Sequence, residues 1–268
     1  VTGTETAFGD VDSSGLATDL ARYLEDVAAR PEVRAVHDAA HAMLAPRPGE
    51  RVLEVGCGLG HDAREAAAAV APGGHVTAVD RSEAMLDAAR ARHDPTLDVT
   101  YERADVTDLP YGDGAFDAVR VERVLQHVPA IERACAEMVR VLAPGGRLLA
   151  VDTDWGSLVV QVADTALAGR CLAHAATRFT HPRAGLRLRP LLAAAGLEHV
   201  DVKAFAFCYT SLADAAVLLP MLNENVPAEA EFVPPDDRAA WLRALEEADA
   251  DGTFVAGWTG YVALGRNP

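Results

Sequence analysis

The stretch Val52-Leu53-Glu54-Val55-Gly56-Cys57-Gly58-Leu59-Gly60 constrains this chain more than any other. A short apolar run meets an acid, and three glycines follow at two-residue spacing. The run reads as a buried parallel strand, because such strands are apolar on both faces. The glycines let the next turn pass close to a ligand, where a Cβ would stand in the way. A helical pattern starts at once, at His61-Asp62-Ala63-Arg64. Strand, glycine turn and helix form the nucleotide-binding half of a doubly wound α/β sheet. The dinucleotide fingerprint G-x-G-x-x-G is not met: its third glycine falls on His61, and the last glycine comes one residue early.

The pattern continues downstream. His75-Val76-Thr77-Ala78-Val79-Asp80 is a second apolar strand ending in an acid, and an acid there can accept both hydroxyls of a ribose. A helix over Ser82 to Arg92 follows, with Met85 and Leu86 placed to cover a flat base. A third strand spans Val99 to Val106 and carries Asp105 near its end. A fourth, Ala115 to Val121, leads into Glu122-Arg123-Val124-Leu125-Gln126-His127-Val128. A helix stopped by Pro144-Gly145-Gly146 then gives way to a fifth strand ending at Asp152.

The E-x-G-x-G-x-G turn resembles motif I of the class I S-adenosylmethionine (SAM)-dependent methyltransferases. The whole series, roughly residues 49 to 155, is similar to the group containing menaquinone and ubiquinone C-methyltransferases and many natural-product enzymes. The resemblance implies an α/β fold with a doubly wound, seven-stranded, mostly parallel sheet of Rossmann-like type. It implies an N-terminal helical lid segment (1–48), a SAM-binding core (49–156) and a C-terminal half (157–268) whose helical insertion at 211–250 caps the site. SAM is the implied cofactor and S-adenosylhomocysteine its product. The implied cofactor contacts are Glu54, Gly56, Cys57, Gly58, Gly60, Asp62, Arg81, Met85, Glu122 and Arg123, with Asp80 on the ribose, Asp105 on the adenine amine and Val106 on its ring.

Glu122 departs from the small polar residue usual at its position, and could pair with the cofactor's ammonium or with Arg123 alone. Gln126 and His127 match the family's paired histidines, with the first replaced by Gln. His127, Glu122 and Asp154 are the candidate catalytic groups. His127, Trp155, His174 and His181 are the candidates for touching the acceptor. Methyl transfer is an in-line displacement that needs alignment and water exclusion, so no metal is expected. The remaining histidines, His37 among them, read as surface or core residues. A DNA-amine methyltransferase is argued against by Glu122-Arg123-Val124-Leu125, which stands where an N-P-P-Y or D-P-P-Y signature would be. A cyclase-like catalyst that keeps SAM as a scaffold, and a non-catalytic SAM-binding module, share the same core motifs.

Net charge is −16, which repels phosphate backbones and anionic membranes, so a small-molecule partner is expected, not nucleic acid. A homodimer is left open. Arg183, Arg187 and Arg189 form the one dense basic cluster and read as a solvated helix face. Four cysteines lack metal spacing and read as reduced thiols of a cytoplasmic protein, and no stretch approaches the roughly 18 apolar residues of a membrane span. A single lysine among many Arg and Ala suggests a high-GC bacterial genome, a setting that suits secondary metabolism. Outside the core, residues 1–15 read as loosely packed, with helices near 16–29, 32–44, 158–178 and 185–195. Strands are expected at 200–209 and 253–264, and two helices separated by Val233-Pro234-Pro235 fill 211–250.

Overall fold

The structure, a computed structural model, describes residues 11–14, 17–225 and 232–268. The expectations for residues 1–10 and for the middle of the insertion at 226–231 lie outside the described residues. The described residues build a seven-stranded sheet in the order β3-β2-β1-β4-β5-β7-β6. Its strands are β1 (Arg51–Val55), β2 (His75–Asp80), β3 (Val99–Arg103), β4 (Phe116–Glu122), β5 (Leu142–Gln161), β6 (Glu198–Tyr209) and β7 (Val255–Arg266). β1 to β5 run parallel, and β7 lies antiparallel between β5 and β6. Chain order reverses at β1/β4, the switch point where such sheets open a crevice beyond their carboxyl ends.

Helices α1 (Val11–Ser14), α2 (Ala17–Ala28) and α3 (Pro31–Leu44) precede the sheet. α4 (His61–Val70), α5 (Glu83–Ala91) and α6 (Ile131–Arg140) connect its parallel strands. α7 (Thr165–Ala176) and α8 (Ala184–Ala194) follow β5, while α9 (Leu212–Leu218) and α10 (Arg238–Ala250) stand between β6 and β7. Strand alternation sends neighbouring side chains to opposite faces. Val52, Val76 and Ala118 pack with α3 and α4, whereas Leu53, Val55, Val119 and Val121 pack with α6 and α8. This parity also fixes where three charged residues go. Glu54 lies two residues from Val52, Arg120 two from Ala118 and Glu122 two from Arg120, so all three share the α3/α4 face.

One element differs from the expectation. Residues 158–161 are not the start of a helix; β5 runs on to Gln161, and Val159 and Val160 pair with Gly257 and Ala256 of β7. The run Leu158-Val159-Val160 is short and β-branched, and a strand partner nearly a hundred residues away decides its state. The helix begins later, at Thr165, capped by Asp164 accepting from the Leu167 N–H at 2.9 Å.

The N-terminal helices are tied to the rest from two sides. Asp12 accepts from the Ser82 hydroxyl (2.6 Å) and from the Glu83 (3.1 Å) and Ala84 (3.2 Å) N–H groups, capping α5. The Tyr23 hydroxyl donates to the Leu218 carbonyl at 3.3 Å, Arg30 donates to Asp214 at 2.8 Å, and Tyr209 donates to Glu32. α2 and α3 are thus joined to α9 and the end of β6.

Candidate active site

Beyond the carboxyl ends of β1, β2, β4 and β5 lies a cavity of about 1160 Å³. Its floor is the glycine turn. Gly56 has φ +68, and a Cβ there would stand 2.2 Å from Val124, so glycine is required on both counts. The Gly58 N–H (3.0 Å) and the Ser82 N–H (3.0 Å) both donate to Asp80, folding the turn around that carboxylate. Burial pushes Asp80 up, against those two donors. Met85, Val106 and Asp105 continue the wall toward β3, and Asp105 is held by the Thr107 N–H and hydroxyl, both at 2.8 Å.

At the β1/β4 end the cavity meets a buried charge cluster. Arg120 lies in the sheet interior, 3% exposed, and donates to Glu54 (2.6 Å) and Glu122 while pairing with Asp62 (2.9 Å). His37, from α3, closes the group: its Nε2 is 2.9 Å from Glu122 Oε1 and its Nδ1 is 3.4 Å from Asp62 Oδ1. Burial lowers His37, but its contacts with the two carboxylates outweigh that and raise it to about 10. Burial likewise opposes ionisation of Asp62 and Glu122, yet Arg120 and His37 hold both below the usual carboxylate range. Glu54 goes the other way: burial, with Asp62 and Glu122 nearby, pushes it up to about 8 despite Arg120. Two atoms of the cluster, Glu54 Oε2 and His37 Nε2, are buried with no hydrogen-bond partner. Glu122 therefore pairs with Arg120 and His37, not with Arg123 as one sequence reading had it.

Arg123 turns the chain out of β4 in the left-handed region (φ +52), its N–H on the Val151 carbonyl at 2.8 Å, and lines the cavity with Arg81. The next turn presents Gln126 and His127. Trp155 Nε1 donates to the Gln126 side-chain oxygen at 2.7 Å. Indole N–H is donor only, so the amide NH2 must face His127, whose Nε2 lies 3.1 Å away. That Nε2 is thus an acceptor, and the ring carries its proton on Nδ1. Burial, with Arg123 and Arg81 nearby, pulls His127 down to about 3. His127 lines the cavity, but as a neutral ring whose basic lone pair is already engaged. Asp152, also in the wall and fully buried, accepts from the Gln126 N–H (3.1 Å) and the Thr153 N–H (2.9 Å); burial pushes it up to about 7.

The far half of the cavity is aromatic. Trp155 stacks on Phe179 (4.5 Å, 15°), and Phe207 stacks on Trp258 (4.9 Å, 7°). Leu20, Tyr23, Leu24 and Val33 of α2 and α3, with Leu218 and Phe232 of the insertion, complete the roof.

Of the residues singled out in the sequence, Glu54, Gly56, Cys57, Gly58, Asp62, Asp80, Arg81, Met85, Asp105, Val106, Glu122, Arg123, His127 and Trp155 line this one cavity. Gly60 sits just behind the turn against Tyr101. Asp154 is turned away: a buried carboxylate, it takes two hydrogen bonds from Arg183 at 3.0 and 3.1 Å, facing the start of α8. Arg183 is consequently more than a solvated charge. His174 stands on α7 outside the cavity lining, and His181 supports the Gln126 turn from behind, its backbone N–H on the Gln126 carbonyl at 3.0 Å. His37 and Arg120 were missed. An arginine in the middle of the apolar run Phe116-Asp117-Ala118-Val119-Arg120-Val121 was a visible signal, because a buried cation demands carboxylates around it.

Fold and cavity together define a doubly wound α/β protein built to hold a nucleoside-bearing ligand at its switch point. Residues 52–146 match the family described as a methyltransferase domain. The ubiquinone/menaquinone biosynthesis C-methyltransferase UbiE of Ectopseudomonas mendocina is 30% identical over 228 residues, 74% of this chain and 88% of that protein. A 37.1 kDa protein in transposon TN4556 of Streptomyces fradiae is 32% identical over 250 residues, 92% of this chain and 71% of that protein. Among solved structures, the [4+2]-cyclase SpnF superposes with a TM-score of 0.56 at 23% identity, covering 88% of this chain and 81% of that one; this likeness concerns the fold. The chain belongs to the class I SAM-dependent methyltransferases. Among the described residues no helix is long and apolar enough to cross a membrane.

Proposed function

We propose that this enzyme methylates an electron-rich carbon of a planar, hydrophobic small molecule, of the quinol kind named for its C-methyltransferase relatives. The observation that carries the reading is the aromatic half of the cavity. Two stacked pairs, Trp155/Phe179 and Phe207/Trp258, suit a flat ring. The residues present fit SAM at the other half. Asp80 takes the ribose hydroxyls, Asp105 the adenine amine, Met85 and Val106 the ring, and the Glu54–Glu122 cluster the amino-acid end. When bound, SAM supplies a methyl group on a sulfonium. The chain's own part is to align the acceptor and exclude water. His127, neutral and with its Nε2 engaged, acts as a wall and not as a base, which favours a carbon acceptor that needs positioning over a hydroxyl that needs deprotonation.

The test is incubation with SAM and a panel of hydroquinones, phenols and aromatic amines, read by mass spectrometry for S-adenosylhomocysteine and a methylated product. A C-methylated hydroquinone supports the reading. Methylation confined to phenol oxygens or amines overturns the carbon assignment. Conversion of an acceptor with no S-adenosylhomocysteine released would mark a cyclase-like catalyst.

A further inference from the structure

We propose that His37 is an internal competitor for the cofactor's ammonium group, carried on α3, so that cofactor entry and release of its side chain from Glu122 and Asp62 are one event. The inference rests on the placement of the SAM amino-acid end at the Glu54–Glu122 cluster. Three carboxylates meet there, and Arg120 occupies one oxygen of each: Glu54 Oε1, Asp62 Oδ2 and Glu122 Oε2. His37 sits against two of the other three, Glu122 Oε1 at 2.9 Å and Asp62 Oδ1 at 3.4 Å. The last, Glu54 Oε2, has no partner although Glu54 is only 2% exposed and faces the cavity.

A primary ammonium has three N–H donors. The cluster holds three oxygens that Arg120 does not use, so an ammonium fits it donor for acceptor once its charge has driven the proton off Glu54, which burial pushes up to about 8. It does so only if His37 gives up its two. With His37 in place, a single acceptor remains. A carboxylate oxygen without a partner, buried at the wall of a ligand cavity, is costly unless a ligand completes it. The His37 contacts are suited to release. Nε2 makes an ion pair with Glu122 without the alignment of a hydrogen bond, since the atom finds no hydrogen-bond partner. His37 is also charged at neutral pH, so it offers the carboxylates the same kind of cation that the cofactor brings. A divalent ion on His37, Asp62 and Glu122, whose ligand atoms lie within 4.8 Å of one another, is opposed by Arg120 at 2.9 Å from Asp62.

The experiment compares two ligands on the full-length chain by calorimetry. S-adenosylhomocysteine carries the amino-acid end, and 5′-methylthioadenosine lacks it. Replacing His37 by Gln removes the competing charge, so His37→Gln should bind S-adenosylhomocysteine about tenfold more tightly, the low end for a charged contact. Binding of 5′-methylthioadenosine should be unchanged. Weaker binding of S-adenosylhomocysteine alone would make His37 a ligand of the amino-acid end and overturn the proposal. Equal changes for both ligands, or no change for either, would make it a structural residue and overturn it too. Imidazole 15N shifts of His37 in the unmodified protein give a reading that needs no variant. They should move with S-adenosylhomocysteine and not with 5′-methylthioadenosine; an unmoved ring refutes displacement. Failure of the unmodified protein to bind either ligand would instead defeat the SAM site itself.

Discussion

Replacing Arg120 by Met should destabilise the protein strongly, and more so as pH rises. The guanidinium lies 2.6 Å from Glu54 and 2.9 Å from Asp62, bonds Glu122, and is 3% exposed. Methionine approximates its stem but leaves the carboxylates buried beside His37 alone. Removing one partner of a buried ion pair costs about 3–5 kcal/mol. For a chain of this size that corresponds to a fall in Tm of about 5–9 °C. The pH dependence has a definite sign. In the unmodified protein Asp62 and Glu122 are held below their ordinary values, so their contribution is present above the unfolded pKa and lost as pH falls through the folded one. Without Arg120, burial dominates and pushes both above their unfolded values, so each then opposes folding increasingly as pH rises. The stability gap between the two proteins should widen from pH 5 to pH 8. Urea unfolding followed by circular dichroism at both pH values measures it. A loss under about 1 kcal/mol, the worth of an exposed pair, or a gap that does not change with pH, would show that the cluster is solvated.

Asp80→Ala should weaken S-adenosylhomocysteine binding by about 1.5–3 kcal/mol, because the carboxylate serves the ribose and also fixes the Gly58 and Ser82 N–H groups. Unchanged affinity in calorimetry, or tight NADH binding by the unmodified protein, would contradict the assignment. Since His127 is held down to about 3, it is already neutral above pH 5, and log kcat should show no ionisation from it between pH 5 and 8. His127→Ala should cost under about tenfold in kcat, against the 10²–10⁴ expected of a general base. A pH limb near neutrality that vanishes in His127→Ala would restore the base. The roof should behave as a lid: amides of α2, α3 and α9 should gain hydrogen-exchange protection when S-adenosylhomocysteine and acceptor bind, and equal protection with and without them would mean a static brace.

The glycine-turn half of the cavity was legible because the placement of its residues depends on short-range pattern. Apolar runs ending in Asp80 or followed at once by glycines place those groups at strand ends, and a doubly wound sheet brings strand ends together whatever the intervening helices do. Asp154 shows where this reasoning fails. It lies on the same strand and face as Asp152, but two residues further on that face meets the start of α8, and Arg183 takes the carboxylate out of the cavity. Residues 158–161 failed for a related reason, since a short apolar run fits helix or strand and only its partner decides. The place of His127 at the cavity was legible and its hydrogen bonding was not. Trp155, on a different element, fixes the Gln126 amide and so the tautomer, and no local spacing reports that.

Charge and shape divide the cavity along the sheet. Both strand carboxylates of the cluster, Glu54 and Glu122, project from the face that α3 and α4 cover, because they share one strand parity with Arg120, and Asp62 meets them from α4 itself. The cation that neutralises them from below, Arg120, is part of the sheet and does not leave. The one that neutralises them from above, His37, sits on α3, whose Val36, Ala40 and Leu44 pack on the sheet and whose start is joined to α9 by Arg30 and to the end of β6 by Glu32. The aromatic half is roofed by α2, α3 and α9, with Tyr23 bonded to the Leu218 carbonyl. Release of His37 and movement of α2 therefore act on one continuous cavity, the first at its charged end and the second over its aromatic half.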